Sequence, residues 1–143
     1  ALQVGHISGE KRPLLEVTRD ARDEGLKAAV VGNRIHDISA AVQRYVERHG
    51  FSVVRDLVGH GIGRNLHEEP SVPNFGKEGT GARIKAGMVF CVEPMINMGG
   101  LDVYTESDQW TVRTADGKPS AHFEHTIAVT DHEPDILTKS DLF

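Results

Sequence analysis

The sequence predicts an α+β fold in which a pair of helices packs on one face of an antiparallel sheet. Two observations point to this class: apolar residues recur at helical spacing before Gly50, and they alternate with polar residues beyond it. A chain of 143 residues with 38% hydrophobic and 26% charged residues has the size and composition of one ordinary domain. Since no repeat, low-complexity tract or linker divides it, we expect a single domain over residues 1–143.

Two helices are predicted before Gly50. The first opens at Pro13, which fits the first turn because no N–H is needed there, and its apolar stripe runs to about Val31, where Gly32 breaks it. Asp37 favours the first turn of the second helix, and Gly50 ends it. The apolar residues of this second helix follow the i, i+3, i+4, i+7 rule: Ile38, Ala41, Val42, Tyr45, Val46 and His49.

Alternating segments beyond Gly50 predict the strands of the sheet. They cover residues 51–54, 88–92, 110–114, 120–130 and 136–138, of which 120–130 is the longest. Residues 76–87 form a polar, glycine-rich loop. Asp116-Gly117 is a hairpin turn sequence and predicts that the strands on either side of it pair.

Composition excludes several functions. The net charge is −5 and the 16 Lys and Arg residues are scattered, whereas binding nucleic acid requires clustered cations. No segment reaches the roughly 18 to 20 apolar residues of a membrane helix. Cys91 is the only cysteine, so the chain has no internal disulfide, and we expect the reducing cytoplasm as its location.

A glycine-rich stretch from Val58 to Pro70 carries two histidines, His60 and His67, among alternate glycines. This composition suits a shaped backbone that presents side chains better than it suits a packed core. A phosphate cradle is the weaker alternative, because no Lys-Ser or Lys-Thr follows the glycines. A single loop histidine is also commonly a plain surface residue, so His60 is a ligand candidate that needs partners.

Two carboxylates interrupt apolar strands. Glu93 ends the most apolar strand, on the same face as Cys91, and a buried charge there requires a cation, unless the strand end reaches solvent. Glu124 lies within the segment 120–130 and shares its face with His122. Together with His60 they form a mixed nitrogen and oxygen set suited to Zn, Mn, Fe or Co, which indicates a metal that activates water.

Two zinc signatures are superficially similar to His122, Glu124 and His125. The protease signature places its histidines on one helix face, but this segment alternates like a strand. The deaminase signature requires a later P-C-x-x-C, which a single cysteine cannot supply. We therefore reject both signatures. Trp110 is open to two interpretations, a core residue or the wall of a substrate site.

Five motifs occur in order along the chain. They are Gly59-His60-Gly61-Ile62-Gly63-Arg64, His67-Glu68-Glu69-Pro70, Gly87-Met88-x-Phe90-x-x-Glu93-Pro94-Met95, Trp110-Thr111-Val112 and Ser120-Ala121-x-Phe123-Glu124-His125-Thr126. In sequence and spacing they closely resemble the type I methionine aminopeptidases, and the similarity extends from about Val4 to Thr138. Proline-specific aminopeptidases and prolidases are related alternatives, but the second and fourth motifs favour the methionine-specific branch.

The resemblance implies a curved antiparallel sheet, as in the C-terminal half of the pita-bread fold, and a two-metal centre. His60, Glu93 and Glu124 would be its ligands, with Glu124 bridging the two ions. His67 would contact the substrate amide and stabilise the tetrahedral intermediate. Glu93 would also accept the proton that the metal-bound water loses.

The implied activity is removal of the N-terminal initiator methionine from nascent polypeptides. Leu66 and Trp110 would border the methionine pocket. A metal-bridging hydroxide would attack the scissile carbonyl, with two divalent ions, Co, Mn, Fe or Zn, as cofactors. The free amine of the substrate would bind a metal, which restricts cleavage to N-terminal residues.

The chain departs from the family pattern in one large way and several small ones. Complete members carry two further aspartate ligands and a pocket histidine in an N-terminal half, so this chain resembles a partial catalytic domain with three of five protein ligands. Asp20 and Asp23 do not fit as replacements, since both lie in the first predicted helix. His122, Phe123 and Gln109 stand where Gln, Tyr and Gly are common.

Three expectations follow for the chain alone. It should be inactive and bind metal weakly, and its uncovered sheet edge should favour a homodimer. The alternative from another functional class is a non-catalytic module of the same fold that binds peptides or proteins. Retention of His60, His67, Glu93 and Glu124 weighs against that alternative, because a binder has no need of them.

Overall fold

The computed structural model describes residues 1–140, and both predicted helices are present. Helix α1 (Lys11–Lys27) has Pro13 in its first turn and packs against helix α2 (Ile35–Arg48). Helix α1 ends before the predicted limit at Val31. The reason is a turn after Lys27, in which the Asn33 side chain donates a 3.0 Å hydrogen bond to the carbonyl of Ala28, a group that a longer helix would use.

Helix α2 begins and ends close to the prediction. At its start, the Asp37 carboxylate accepts hydrogen bonds from the N–H of Arg34 and from that of Gly79, both at 2.6 Å. These two bonds lower the pKa of Asp37. Gly50 follows the helix with a φ of 79°, a left-handed conformation that glycine adopts without strain.

Ten short strands follow in the described residues, and every pairing between them is antiparallel. They are β1 (Ser52–Val53), β2 (Gly59–Gly61), β3 (Glu68–Val72), β4 (Val89–Val92), β5 (Met95–Asn97), β6 (Val103–Thr105), β7 (Val112–Thr114), β8 (Ser120–His122), β9 (His125–Ala128) and β10 (Asp135–Ile136). They form a five-stranded sheet in the order β10-β9-β4-β2-β3, a three-stranded sheet in the order β1-β5-β8, and the separate β6-β7 ribbon. The predicted α+β class is confirmed.

The prediction of one long strand over 120–130 is wrong. The chain forms β8 in the three-stranded sheet and β9 in the five-stranded sheet, with Phe123 and Glu124 between them. Their partner strands β5 and β4 are separated in the same way by Glu93 and Pro94, and proline has no N–H for a ladder. The Phe123 N–H donates to the Pro94 carbonyl at 3.4 Å, so both carboxylates lie at one junction between the two sheets.

The predicted hairpin at Asp116-Gly117 is also wrong, although the turn itself is present. Strand β7 before the turn pairs with β6, and β8 after it pairs with β5. The Asp116 carboxylate instead accepts from the backbone N–H groups of Gly100 at 2.9 Å and Lys118 at 3.0 Å, which ties the turn to a preceding loop. Strand 110–114 is shortened to β7, and the last predicted strand is shifted to β10.

Two apolar clusters fill the space between the helices and the sheets. One lies under the five-stranded sheet and includes Phe90, Val92 and Ile127, all fully buried. The other joins both helices to the three-stranded sheet through Leu14, Val42, Ile96 and other residues. Because side chains alternate along a strand, Phe90 and Val92 point into the core while Cys91 points to the opposite face of β4.

Candidate metal centre

Strand β2 places His60 between β4 and β3. Side chains are excluded from both neighbouring positions, because a Cβ at Gly59 would collide with the Cys91 carbonyl oxygen and one at Gly61 with the Glu69 carbonyl oxygen. The His60 Nδ1 lies 3.0 Å from the Gly61 carbonyl oxygen. With the proton on Nδ1 for that bond, the Nε2 lone pair is free for a metal.

Glu93 lies at the junction between the sheets with two histidines facing it. Its Oε1 is 3.3 Å from His60 Nε2, and its Oε2 is 3.3 Å from His122 Nε2. The side chain is only 13% exposed, and Oε1 is buried without a hydrogen-bond partner among the described residues. A buried carboxylate oxygen without a donor is costly, so this one fits a position beside a cation.

The ligand atoms form two groups of three that share Glu93. His60, Cys91 and Glu93 make one group, and Glu93, His122 and Glu124 make the other, with the atoms of each group within 4.8 Å of one another. Imidazole nitrogen, carboxylate oxygen and sulfur are the donors that divalent transition metals take in proteins. The residues present therefore fit the metal chemistry that the sequence implies.

Cys91 and His122 join this cluster, although neither was predicted to be a ligand. Burial raises the pKa of the Cys91 thiol to about 11, and the nearby Glu124 and Glu93 carboxylates act in the same direction. Its sulfur lies 3.4 Å from the Thr126 hydroxyl on the paired strand. The alternation of side chains, which places Cys91 with Glu93 and His122 with Glu124, was the sequence pattern that could have identified both.

The remaining predicted site residues lie farther out. The His67 ring is 4.1 Å from the His60 ring between centroids, and both histidines line a cleft of about 460 Å³. Leu66 is 67% exposed in the loop between β2 and β3. Trp110 is 87% exposed in the turn between β6 and β7, so it is not a core residue. The structure thus groups the two histidines and leaves Leu66 and Trp110 at the surface.

A second cleft of about 570 Å³ borders the cluster on the Glu124 side. Its lining consists of Ala1, Leu2, Arg22, His122, Phe123, Glu124, His125 and Thr138. His125 is buried, and its Nδ1 lies 2.9 Å from the Thr138 hydroxyl. Burial lowers the pKa of His125, and the positive charge of Arg22 lowers it further. Both α1 aspartates are paired with arginines at 2.8 Å, Asp23 with Arg22 and Asp20 with Arg19.

The fold and the ligand cluster agree with the family comparisons. The chain matches the model of "Metallopeptidase family M24" over residues 2–131 and therefore belongs to that family. It is 55% identical over 135 residues to a methionine aminopeptidase of Clostridium perfringens, a match that covers 94% of this chain and 54% of the relative. Methionine aminopeptidase 1 of Bacillus subtilis is 52% identical over 136 residues, covering 95% and 55%.

Solved structures of methionine aminopeptidases are also similar to this chain. The crystal structure of methionine aminopeptidase from Rickettsia prowazekii superposes with a TM-score of 0.93 at 47% identity, covering 95% of this chain and 55% of that one. A prolidase from Pyrococcus horikoshii, at 20% identity and a TM-score of 0.73, shares the fold alone. The predicted resemblance and pita-bread architecture are confirmed, and the chain spans about half the length of the curated relatives it matches. None of the helices in residues 1–140 is long and apolar enough to span a membrane.

Proposed function

We propose that this chain is a partial catalytic domain, over residues 1–143, of an aminopeptidase that removes the initiator methionine from nascent polypeptides. One observation carries the proposal: the Glu93 carboxylate, only 13% exposed, lies between two histidine nitrogens, and a Glu124 oxygen lies within 4.8 Å of ligand atoms of Glu93 and His122. The relatives at 55% and 52% identity are methionine aminopeptidases, which supports the substrate assignment.

In this proposal His60, Glu93 and Glu124 would hold the metal; Glu93 belongs to both groups of ligand atoms, and Glu124 would complete the second. Two divalent ions, Co, Mn, Fe or Zn, would polarise the scissile carbonyl and lower the pKa of water enough for attack near neutral pH. The mixed nitrogen and oxygen donors suit any of these four metals.

The chain's own side chains position the substrate and move its protons. The Glu93 carboxylate takes a proton from the attacking water and passes it to the leaving amine. The His67 ring, which lines the same cleft as His60, donates a hydrogen bond to the developing oxyanion. Leu66 and Trp110 are free to border the methionine side chain, since both are exposed.

A chimera tests the function directly. The 135 matched residues of the Clostridium perfringens relative are replaced by those of this chain, and cleavage of a Met-Ala-Ser peptide is measured with added Co²⁺ or Mn²⁺. We expect the chimera to release methionine, His60→Ala to lose at least about 100-fold in rate, and His49→Gln, a distant control, to keep the rate. The 143-residue chain alone should be inactive, because it spans about half of the relatives.

Other outcomes identify the alternatives. A folded chimera that binds the peptide without cleaving it would indicate a binding module. Cleavage of Ala-Pro peptides in preference to Met-Ala-Ser would indicate a proline-specific relative. Either result would contradict the methionine aminopeptidase proposal.

We further propose that two copies of this chain associate. Strand β8 is an edge strand among the described residues, and Leu2 and Val4 beside the N-terminus are 59% and 86% exposed. Exposed edges with apolar neighbours tend to pair. Light scattering at micromolar concentration should give a dimer mass for the chain and a monomer mass for Val4→Asp; a monomer mass for the unchanged chain would contradict the association.

The cytoplasm is the proposed location. Cys91 is a free, buried thiol, which suits a reducing compartment. Fractionation of cells that express the chain in its natural context tests this, and recovery outside the cytoplasm would exclude it.

A further inference from the structure

The face of β4 that carries Glu93 also carries a sulfur atom. Cys91 is 2% exposed, and its sulfur lies within 4.8 Å of a ring nitrogen of His60 and of a Glu93 carboxylate oxygen. It is the only cysteine in the sequence. The neighbouring Glu93 Oε1 is buried without a hydrogen-bond partner in the described residues, which indicates that something cationic belongs beside it.

We propose that Cys91 Sγ is a third protein ligand, beside His60 Nε2 and Glu93 Oε1, to one divalent ion, and that this sulfur shifts the site toward zinc. The inference rests on the proposed metal centre, to which it adds a sulfur ligand and a preference for zinc. On binding, the S–H bond breaks, the proton leaves to solvent, and the sulfur lone pair forms the bond to the metal.

Geometry distinguishes this role from simple packing. A buried cysteine that only packs would lie among apolar side chains, as Phe90 and Val92 do on the core face of the same strand. Cys91 instead lies among His60, Glu93 and the Thr126 hydroxyl. Thiolate selects zinc and other soft metals, whereas manganese and magnesium prefer oxygen, so the sulfur should discriminate between them.

X-ray absorption at the zinc edge tests the proposal on the unchanged chain with saturating zinc. A Zn–S distance of about 2.3 Å differs clearly from Zn–N and Zn–O distances of about 2.0–2.2 Å. Because Cys91 is the only cysteine, a thiolate shell identifies it. We expect one zinc-bound sulfur per chain in the wild type and in His49→Gln, which is one sulfur for every two zinc ions when both proposed ions are bound, and none in Cys91→Ala.

Cobalt gives a second readout. Co²⁺ bound to a thiolate has a near-ultraviolet charge-transfer band that thioethers and imidazoles lack, and the band should vanish in Cys91→Ala while visible Co²⁺ absorption persists. Zinc affinity should fall about 10- to 100-fold in that variant, with a smaller change for Mn²⁺. Zinc bound through nitrogen and oxygen alone would overturn the sulfur ligand and leave the proposed metal centre intact; absence of zinc binding would overturn both.

Discussion

Strand pairs β4–β9 and β6–β7 carry the two kinds of site residue that the resemblance implies, and they are built differently. The β4–β9 pair is central in a five-stranded sheet, buries Phe90 fully, and presents Glu93 at its end. The β6–β7 pair is a separate ribbon with Trp110 87% exposed at its turn. Metal ligands thus depend on the core, whereas the residue that would border the substrate is independent of it.

Substitution in the two strand pairs should change the free energy of unfolding by very different amounts. Phe90→Ala removes a fully buried ring and leaves a cavity, at a cost of about 3–5 kcal/mol in the free energy of unfolding. Trp110→Ala removes a ring that is already 87% exposed, and should change stability by less than about 0.5 kcal/mol. Urea denaturation followed by circular dichroism measures both, and equal losses would contradict the proposed independence of the ribbon.

Zinc affinity should depend on the β4–β9 pair and not on the β6–β7 ribbon. Glu93→Gln removes the carboxylate shared by both ligand groups, so the affinity of the chain for zinc should fall at least about 100-fold. Trp110→Ala should leave the affinity unchanged, because the indole is 87% exposed and belongs to neither ligand group. Calorimetric titration gives the affinities.

The folded state of the Glu93→Gln variant provides the control. Its metal-free form should be at least as stable as the wild type, since Oε1 has no hydrogen-bond partner in the described residues. Weak zinc binding with intact stability would therefore reflect loss of the ligand. Unchanged affinity would remove Glu93 from the metal centre.

Glycine substitutions probe the backbone around each region. A Cβ at Gly61 would collide with backbone atoms of Glu69, which a flexible side chain cannot relieve, whereas the nearest atom to a Cβ at Gly100 is an Asp116 carboxylate oxygen at 3.9 Å. Gly61→Ala should cost about 1–3 kcal/mol and displace His60. Gly100→Ala, near the ribbon, should be close to neutral. Thermal unfolding measures both, and a tolerated Gly61→Ala would show that β2 and β3 can separate.

Local pattern explains what the sequence could predict. The position of helix α2 could be predicted because its apolar spacing, Asp37 and Gly50 are local features. The split between β8 and β9 was missed because a strand's continuity depends on its partner, and here β5 and β4 belong to different sheets. The hairpin at Asp116 failed for the same reason, since turn chemistry does not reveal which strands pair.

The candidate site likewise combines residues that local sequence can indicate with contacts that only the fold creates. His60, Glu93 and Glu124 could be selected as candidate ligands from the sequence because charge and glycine interrupt apolar strands. Their assembly with Cys91 and His122 depends on the β2-β4-β9 pairing and on the junction between sheets, which are contacts between distant parts of the chain.

The smallest predicted effect compares two aspartates that accept backbone hydrogen bonds. Asp37 bonds to the N–H of Arg34 and, across the fold, to that of Gly79, both at 2.6 Å. Asp108 in the β6–β7 turn bonds to Trp110 and Thr111, its own neighbours, at 2.9 and 2.8 Å. Asp37→Asn should cost about 1 kcal/mol, as for loss of a helix cap, and Asp108→Asn should cost less because its bonds tie no distant segment.

The pH dependence of this difference has a definite sign. Hydrogen bonds from Arg34 and Gly79 hold the pKa of Asp37 in the folded chain below its ordinary value of 3.8. The stabilisation is therefore complete above about pH 4 and is lost as the pH falls through the folded-state pKa. The gap in unfolding free energy between wild type and Asp37→Asn should shrink as the pH falls from 5 toward 2. A gap that stays constant over this range would mean that the ionised carboxylate does not stabilise the start of α2.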